Sequence, residues 1–157
     1  MKRLFIGFFI VLSVLGFSQN DTAQIFVADR KNTPQTLTKP YVILISADGF
    51  RYDYAKKYHA KNILKLAEKG VSAKAIIPSY PSITGPNHYT MITGLFPSHT
   101  GFVDNYFYDK KRNDLFGMSI QSKISDGSWL GGIPLWSLAE QQGMLAASLF
   151  WVASNSD

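Results

Sequence analysis

Cysteine is absent from the 157-residue chain, which excludes a disulfide scaffold, a cysteine-ligated zinc site and a thiol nucleophile. Charge is sparse as well: Asp, Glu, Lys and Arg make up 17% of residues. An ordinary soluble domain carries roughly 25%, so charge-driven disorder is excluded. The net charge of +5 comes from basic groups scattered along the chain, Arg30-Lys31, Lys56-Lys57 and Lys110-Lys111-Arg112. They form no aromatic–basic stripe, so binding to a nucleic-acid duplex is not expected. Histidine is scarce: His59, His88 and His99 are the full set, none has a second His or Asp at ligand spacing, and all three read as structural or loop residues. Internal repeats are missing too. What remains is 46% hydrophobic, enough for one domain with a real core.

The first segment reads as an address. Met1-Lys2-Arg3 is a short basic start, Leu4 to Phe17 is apolar, and Gly16 and Ser18 put small residues just ahead of Gln19. That order predicts a secretory signal peptide over 1–18. Its apolar run is shorter than the ~20 residues of a spanning helix, so the reading is a secreted or periplasmic protein without a stable membrane anchor.

Residues 19–39 are polar, with Pro34 inside and Pro40 just after, and read as a flexible lead-in with a short edge strand at Ile25-Phe26-Val27. Tyr41 to Ala47 is an apolar, β-branched run without polar alternation, the pattern of a strand buried on both faces. A helix over Asn62–Lys69 stops at Gly70, and a second strand over Val71–Ile77 closes at Pro78. A helix over Thr84–Thr93 has Pro86 in its first turn and Gly94 at its end. Residues 97–133 are dense in Gly, Ser, Asn, Asp and aromatics and read as a long functional loop with little regular structure. Pro134 opens a helix over Leu135–Gln142 that Gly143 ends, and Leu145–Trp151 is a third strand. The alternation predicts an α/β domain over 40–157 with a mostly parallel sheet flanked by helices. Such a sheet needs a crossover helix over its last strand, so the sequence reads as the N-terminal part of a longer, truncated domain.

Three residues just past predicted strand ends stand at the edge where open α/β sheets place ligands. Asp48 follows the first strand, where its carboxylate suits either a metal ligand or an Asp-Gly turn. Thr84 opens a helix. Its hydroxyl suits an N-cap, or a nucleophile beside the free N–H groups and positive dipole end of that helix. A threonine hydroxyl needs a base or a metal to become an alkoxide, and a metal is the plausible route because no His or Glu stands at a strand end. Asn105 suits a loop Asx turn, or a donor to a phosphoryl oxygen as charge develops. Beside it, Tyr106, Phe107 and Tyr108 suit either core packing or a stacking wall for a leaving group, and Trp129, Trp136 and Trp151 read as core.

The residues Val42-Ile-Leu-Ile-Ser-Ala-Asp48-Gly49-Phe50-Arg51 resemble the first metal-ligand motif of the nucleotide pyrophosphatase/phosphodiesterases of the alkaline phosphatase superfamily. Thr84-Gly-Pro-Asn-His-Tyr-Thr90, with Thr93-Gly94-Leu95-Phe96-Pro97, Gly101 and Asp104-Asn105, is similar to that family's nucleophile block. Pro134-Leu-Trp136 and Phe150-Trp151 resemble later landmarks. The resemblance implies an alkaline-phosphatase-like fold and a secreted phosphodiesterase or nucleotide pyrophosphatase acting on phosphodiester or nucleotide small molecules. It implies two zinc ions (Zn2+), with Asp48 and Thr84 ligating one of them. Thr84 would form a covalent phospho-threonine, and Asn105 would bind the phosphoryl oxygen with the Thr84 backbone N–H. The sequence departs from many relatives at Ile83 and Gly85, where those carry Lys and Phe that help contact a nucleotide. It also lacks the family's Asp-His-Gly motif and its later Asp and His ligands, so 157 residues alone are expected to be inactive. The alternatives are a phosphomonoesterase or phosphonate hydrolase of the same superfamily, or a non-catalytic phosphate- or nucleotide-binding protein.

Overall fold

The signal peptide expected at 1–18 and the edge strand at 25–27 lie outside the residues that the computed structural model describes, 28–155. Within those, helices form where the sequence is punctuated for them. α1 (Tyr54–Lys57) and α2 (Lys61–Lys69) are short and polar-faced, and neither buries a residue. α3 (Thr84–Thr93) begins after extended Ile83 and ends where Gly94 turns left-handed at φ 69°, its N–H donating to the Thr90 carbonyl. Only a residue without a Cβ adopts that angle freely, which is why the helix stops there. α4 (Pro97–Thr100) takes Pro97 at its first position, where the missing N–H costs nothing. α6 (Leu135–Gln141) starts one residue after Pro134, whose extended backbone caps it.

Residues 97–133 hold more order than their composition suggests. β1 (Tyr106–Asp109) pairs antiparallel with β2 (Asp114–Gly117), Tyr106 opposite Gly117 and Asp109 opposite Asp114. α5 (Gln121–Ile124) and a 3₁₀ turn over Gly127–Trp129 complete the stretch. The loop reading is corrected here. A carboxylate makes the hairpin: Asp109 Oδ1 accepts from the N–H groups of Lys111 at 2.7 Å and Arg112 at 3.1 Å, and Asn113 takes a positive φ of 52° that Asn tolerates.

The core sits between α3 and this hairpin and is built of rings. Tyr89, Phe102, Phe116, Trp129 and Leu130 are buried, and Phe102 and Phe116 are fully so. Phe116 meets Phe102 edge-on at 5.3 Å, stacks on Phe107 at 4.9 Å and tilts against Trp129 at 5.5 Å. Each such pair adds about 0.5–1.5 kcal/mol beyond area burial. The Arg112 guanidinium lies 4.4 Å from the Trp129 ring centre and its Nη1 donates to Ser128 Oγ at 3.0 Å, so one cation closes the rim. The strand period divides the aromatic trio: Phe107 packs on the core, whereas Tyr106 and Tyr108 face solvent. Trp129 is core; Trp136 and Trp151 are half-buried and packed against it.

The predicted strands behave differently. Among the described residues the β1–β2 pair is the one sheet, and 41–47, 71–77 and 145–151 are extended or turn-like without ladder partners. Tyr41 to Ile45 are exposed rather than buried on both faces. The parallel sheet expected over these segments is therefore not formed among the described residues. A hairpin finds its hydrogen bonds locally, whereas a parallel strand needs distant partners on both edges and cover on both faces. The lead-in expected to be flexible over 19–39 is tied down at 32–36. The Thr33 N–H and Thr36 Oγ1 donate to the Gly143 carbonyl at 3.0 and 3.2 Å, and the Leu145 N–H donates to Asn32 Oδ1 at 2.6 Å.

Candidate functional site

Asp48 sits at the end of the first extended segment, in a turn closed by the Phe50 N–H donating to the Ala47 carbonyl at 3.2 Å. Both roles open to it in the sequence are compatible there: the backbone turns, and the carboxylate is left exposed. Thr84 is the first residue of α3, not its cap. Its hydroxyl donates to Asp48 Oδ2 at 3.1 Å instead of bonding the helix backbone. Ile83, at the cap position, has no side-chain atom to accept from the first turn, and no described group accepts from the Thr84 N–H. A free first-turn N–H at the positive dipole end of a helix favours an anion.

Asn105 reaches the same turn from the other side of the core. The Gly85 N–H donates to Asn105 Oδ1 at 2.8 Å, an approach that tolerates no side chain on residue 85. A Cβ there would stand 2.7 Å from Asn105 Oδ1 and closer still to the Phe102 ring. Holding the amide by its oxygen leaves its NH2 as the donor end. Asp104 supplies the loop's own brace, its Oδ1 accepting from the Tyr106 N–H at 3.3 Å. Asp48, Thr84 and Asn105 thus meet at one turn of α3, from segments up to 57 positions apart in the sequence.

The supporting side chains were not singled out by sequence reasoning. Asn87 Oδ1 accepts from the Ser79 N–H at 3.1 Å and fixes the loop that enters α3. His88, read as structural, is buried with Nδ1 2.8 Å from the Thr84 carbonyl and Nε2 2.9 Å from Ser46 Oγ. A four-residue step from Thr84 along α3 was the available signal for it. His59 and His99 stand apart. His59 sits in a turn at φ 51°, and His99 is exposed in α4 beside Ser98 Oγ at 3.3 Å. A largely apolar groove opens next to Asp48 and Thr84, walled by residues 41–46, Trp136 and residues 144–152.

The Asp48 carboxylate and Thr84 hydroxyl are hard oxygen donors close enough to face one divalent cation. They fit part of a ligand set. Among the described residues no group of three His, Cys, Asp or Glu could complete one. No helix among them is long and apolar enough to cross a membrane.

Residues 42–157 match the model of the family described as type I phosphodiesterase / nucleotide pyrophosphatase. The chain is 41% identical over 124 residues to ectonucleotide pyrophosphatase/phosphodiesterase family member 3 of Rattus norvegicus, covering 78% of this chain and 14% of that protein. It is 40% identical over 123 residues to a venom phosphodiesterase of Naja atra, covering 77% of this chain and 15% of that protein. A pyrophosphatase/phosphodiesterase of Schizosaccharomyces pombe, described as uncharacterized, is 37% identical over 150 residues, 95% of this chain and 28% of its own length. The chain therefore spans less than a third of the length of these relatives. With the matched stretch covering everything from the first extended segment onward, the chain belongs to the type I phosphodiesterase/nucleotide pyrophosphatase family and, through it, has an α/β fold.

Proposed function

We propose that this chain is the N-terminal part of a secreted, zinc-dependent phosphodiesterase or nucleotide pyrophosphatase in which Thr84 is the nucleophile. The observation that carries the reading is the 3.1 Å bond from Thr84 Oγ1 to Asp48 Oδ2 at the N-terminal end of α3, with Asn105 on the neighbouring N–H. The nearest histidine is engaged elsewhere through both ring nitrogens, so it does not serve as the base for that hydroxyl. Asp48 and the Thr84 oxygen would hold one divalent ion between them, and the remaining ligands would come from the rest of the longer protein. When bound, zinc supplies Lewis acidity that lowers the pKa of the hydroxyl and offsets charge on the leaving oxygen.

The residues of this chain then divide the work. Thr84 Oγ gives up its proton to solvent water and attacks phosphorus, a new P–O bond forms, the bond to the leaving oxygen breaks, and the phosphoryl group stays on Thr84 until a water attacks phosphorus and releases it. The Thr84 N–H and the Asn105 NH2 donate to the phosphoryl oxygen that gains charge, with the α3 dipole end behind them. Tyr106 and Tyr108, exposed beside Asn105, offer faces to a leaving group. The three apolar segments 41–47, 71–77 and 145–151 would serve as strands of a mostly parallel, alkaline-phosphatase-like sheet in the complete domain. The words "ectonucleotide" and "venom" in the relatives' names accord with secretion.

Thr84→Ala in the longer protein is expected to lower turnover of a nitrophenyl phosphodiester on the order of 10⁴-fold or more. Chelation is expected to abolish wild-type turnover, and added zinc to restore it. Undiminished turnover by the alanine variant would overturn the assignment. The 157-residue chain alone is expected to turn over no diester and to bind zinc only weakly; sub-micromolar zinc affinity would contradict that.

A further inference from the structure

We propose that His88 is a positioning residue that sets the register of the Asp48 segment against α3 and so keeps the Thr84 hydroxyl on its carboxylate. The inference rests on the reading of Thr84 as nucleophile. It begins from the ring's two partners. A carbonyl oxygen can only accept, so the 2.8 Å approach of Nδ1 to the Thr84 carbonyl assigns the ring proton to Nδ1. In the neutral ring Nε2 then accepts from the Ser46 hydroxyl at 2.9 Å. Both nitrogens are thereby used, one on the helix that carries the nucleophile and one on the segment that carries Asp48.

The spacing matches on the two sides. Ser46 lies in the extended run and Asp48 two residues on, in the turn that ends it, a step of at most about 7 Å, and both side chains reach α3. Thr84 and His88 are four apart on a helix, which puts them on one face with a rise of about 6 Å. Two rungs of nearly equal length follow: Ser46 to His88 at 2.9 Å and Asp48 to Thr84 at 3.1 Å. A slip of this segment along α3 would carry Ser46 and Asp48 off His88 and Thr84 together and break both rungs. The third support comes from Trp151, whose ring meets the imidazole edge-on at 5.8 Å and whose Nε1 donates to the His88 carbonyl at 3.2 Å. His88 touches neither reacting oxygen. Its effect passes through Ser46 and the first turn of α3.

Steady-state kinetics of the longer, zinc-loaded enzyme test this with Ser46→Ala, His88→Asn, the double variant and Thr84→Ala. Ser46→Ala removes one oxygen from an exposed position and leaves the aromatic core untouched, so it decides the matter even where His88→Asn fails to fold. The expected result is a kcat lowered roughly tenfold to a hundredfold in Ser46→Ala, with KM and bound zinc unchanged. His88→Asn loses a similar factor, and the double variant loses no more than the worse single, because the two residues form one rung. Wild-type kcat in Ser46→Ala, losses that multiply in the double variant, or a loss confined to KM or zinc content would overturn the proposal. Thr84→Ala separates the two readings. If it is inactive while Ser46→Ala is fully active, only the positioning role fails; if it is active, the nucleophile assignment itself fails.

Discussion

The stretch from Thr84 to Leu130 is less apolar in sequence than the three extended segments at 41–47, 71–77 and 145–151, yet it is the stretch that buries its rings while they stay largely open to solvent. In the first, Phe102 and Phe116 are 0% exposed; in the second, Val71 and Ile77 are 103% and 97% exposed. The difference lies in where each finds its partners. α3, the hairpin and α5 follow one another closely in the chain, so their contacts close short loops at little entropic cost. The extended segments carry the composition of central parallel strands, whose partners are distant in sequence. Hydrophobicity states a demand for burial; topology decides whether nearby chain can meet it. The candidate site straddles the divide, with Thr84 and Asn105 on the self-sufficient side and Asp48 on the other.

The sharpest way to break the comparison is Phe116→Ala. It removes a ring that touches three others, and it is expected to cost about 3–5 kcal/mol in denaturant unfolding of this chain. Ile77→Ala, at an exposed position, is expected to stay within about 0.5 kcal/mol. Equal losses would erase the distinction between the two regions. Amide exchange sharpens it: the 106–117 hairpin is expected to be protected while 41–47 exchanges freely in the 157-residue chain, the latter gaining protection in the longer protein.

Next in size is Gly85→Ala. The added methyl meets Phe102 and Asn105 at once, and overpacking of this kind costs about 1–3 kcal/mol. Asn105 must move off the Gly85 N–H, so a shifted Asn105 side-chain amide resonance checks it. The smallest effect is electrostatic. The Lys123 ammonium bonded to Asp114, with help from the Leu115 N–H, holds that carboxyl below the usual aspartate range. A carboxyl whose folded pKa is depressed contributes stability above its unfolded pKa and loses it as pH falls through the folded one. Trp129 fluorescence is therefore expected to report a slight destabilisation of the hairpin on acidification below the ordinary aspartate range. Asp114→Asn is expected to flatten that slope.

Much of this was legible from residue order. Pro86 and Gly94 bracketed α3, Pro134 and Gly143 bracketed α6, and Gly70 ended α2. The meeting of Asp48, Thr84 and Asn105 was legible only as a set of separate possibilities, since each residue alone fits a turn or a cap. The hairpin was missed because β1 is aromatic on both faces and β2 sets Leu115 beside Phe116, which hides the period of two, and because no Asn-Gly or Asp-Gly marks its turn. The Asp109 carboxylate bonded to two successive N–H groups does that job, and an acidic residue ahead of a basic run was the signal. His88 was legible as structural, and its four-residue step from Thr84 hinted at the helix partner, but no spacing in the sequence pointed to Ser46 on the other segment.

One feature of Asn105 separates architecture from recognition. Its oxygen is the end that the protein uses, so aspartate in its place could keep the grip on Gly85 and the shape of the loop. The other end would become a second oxygen, turning a welcome for an anion into a rebuff. Asn105→Asp is thus expected to melt like the parent protein and yet refuse inorganic phosphate.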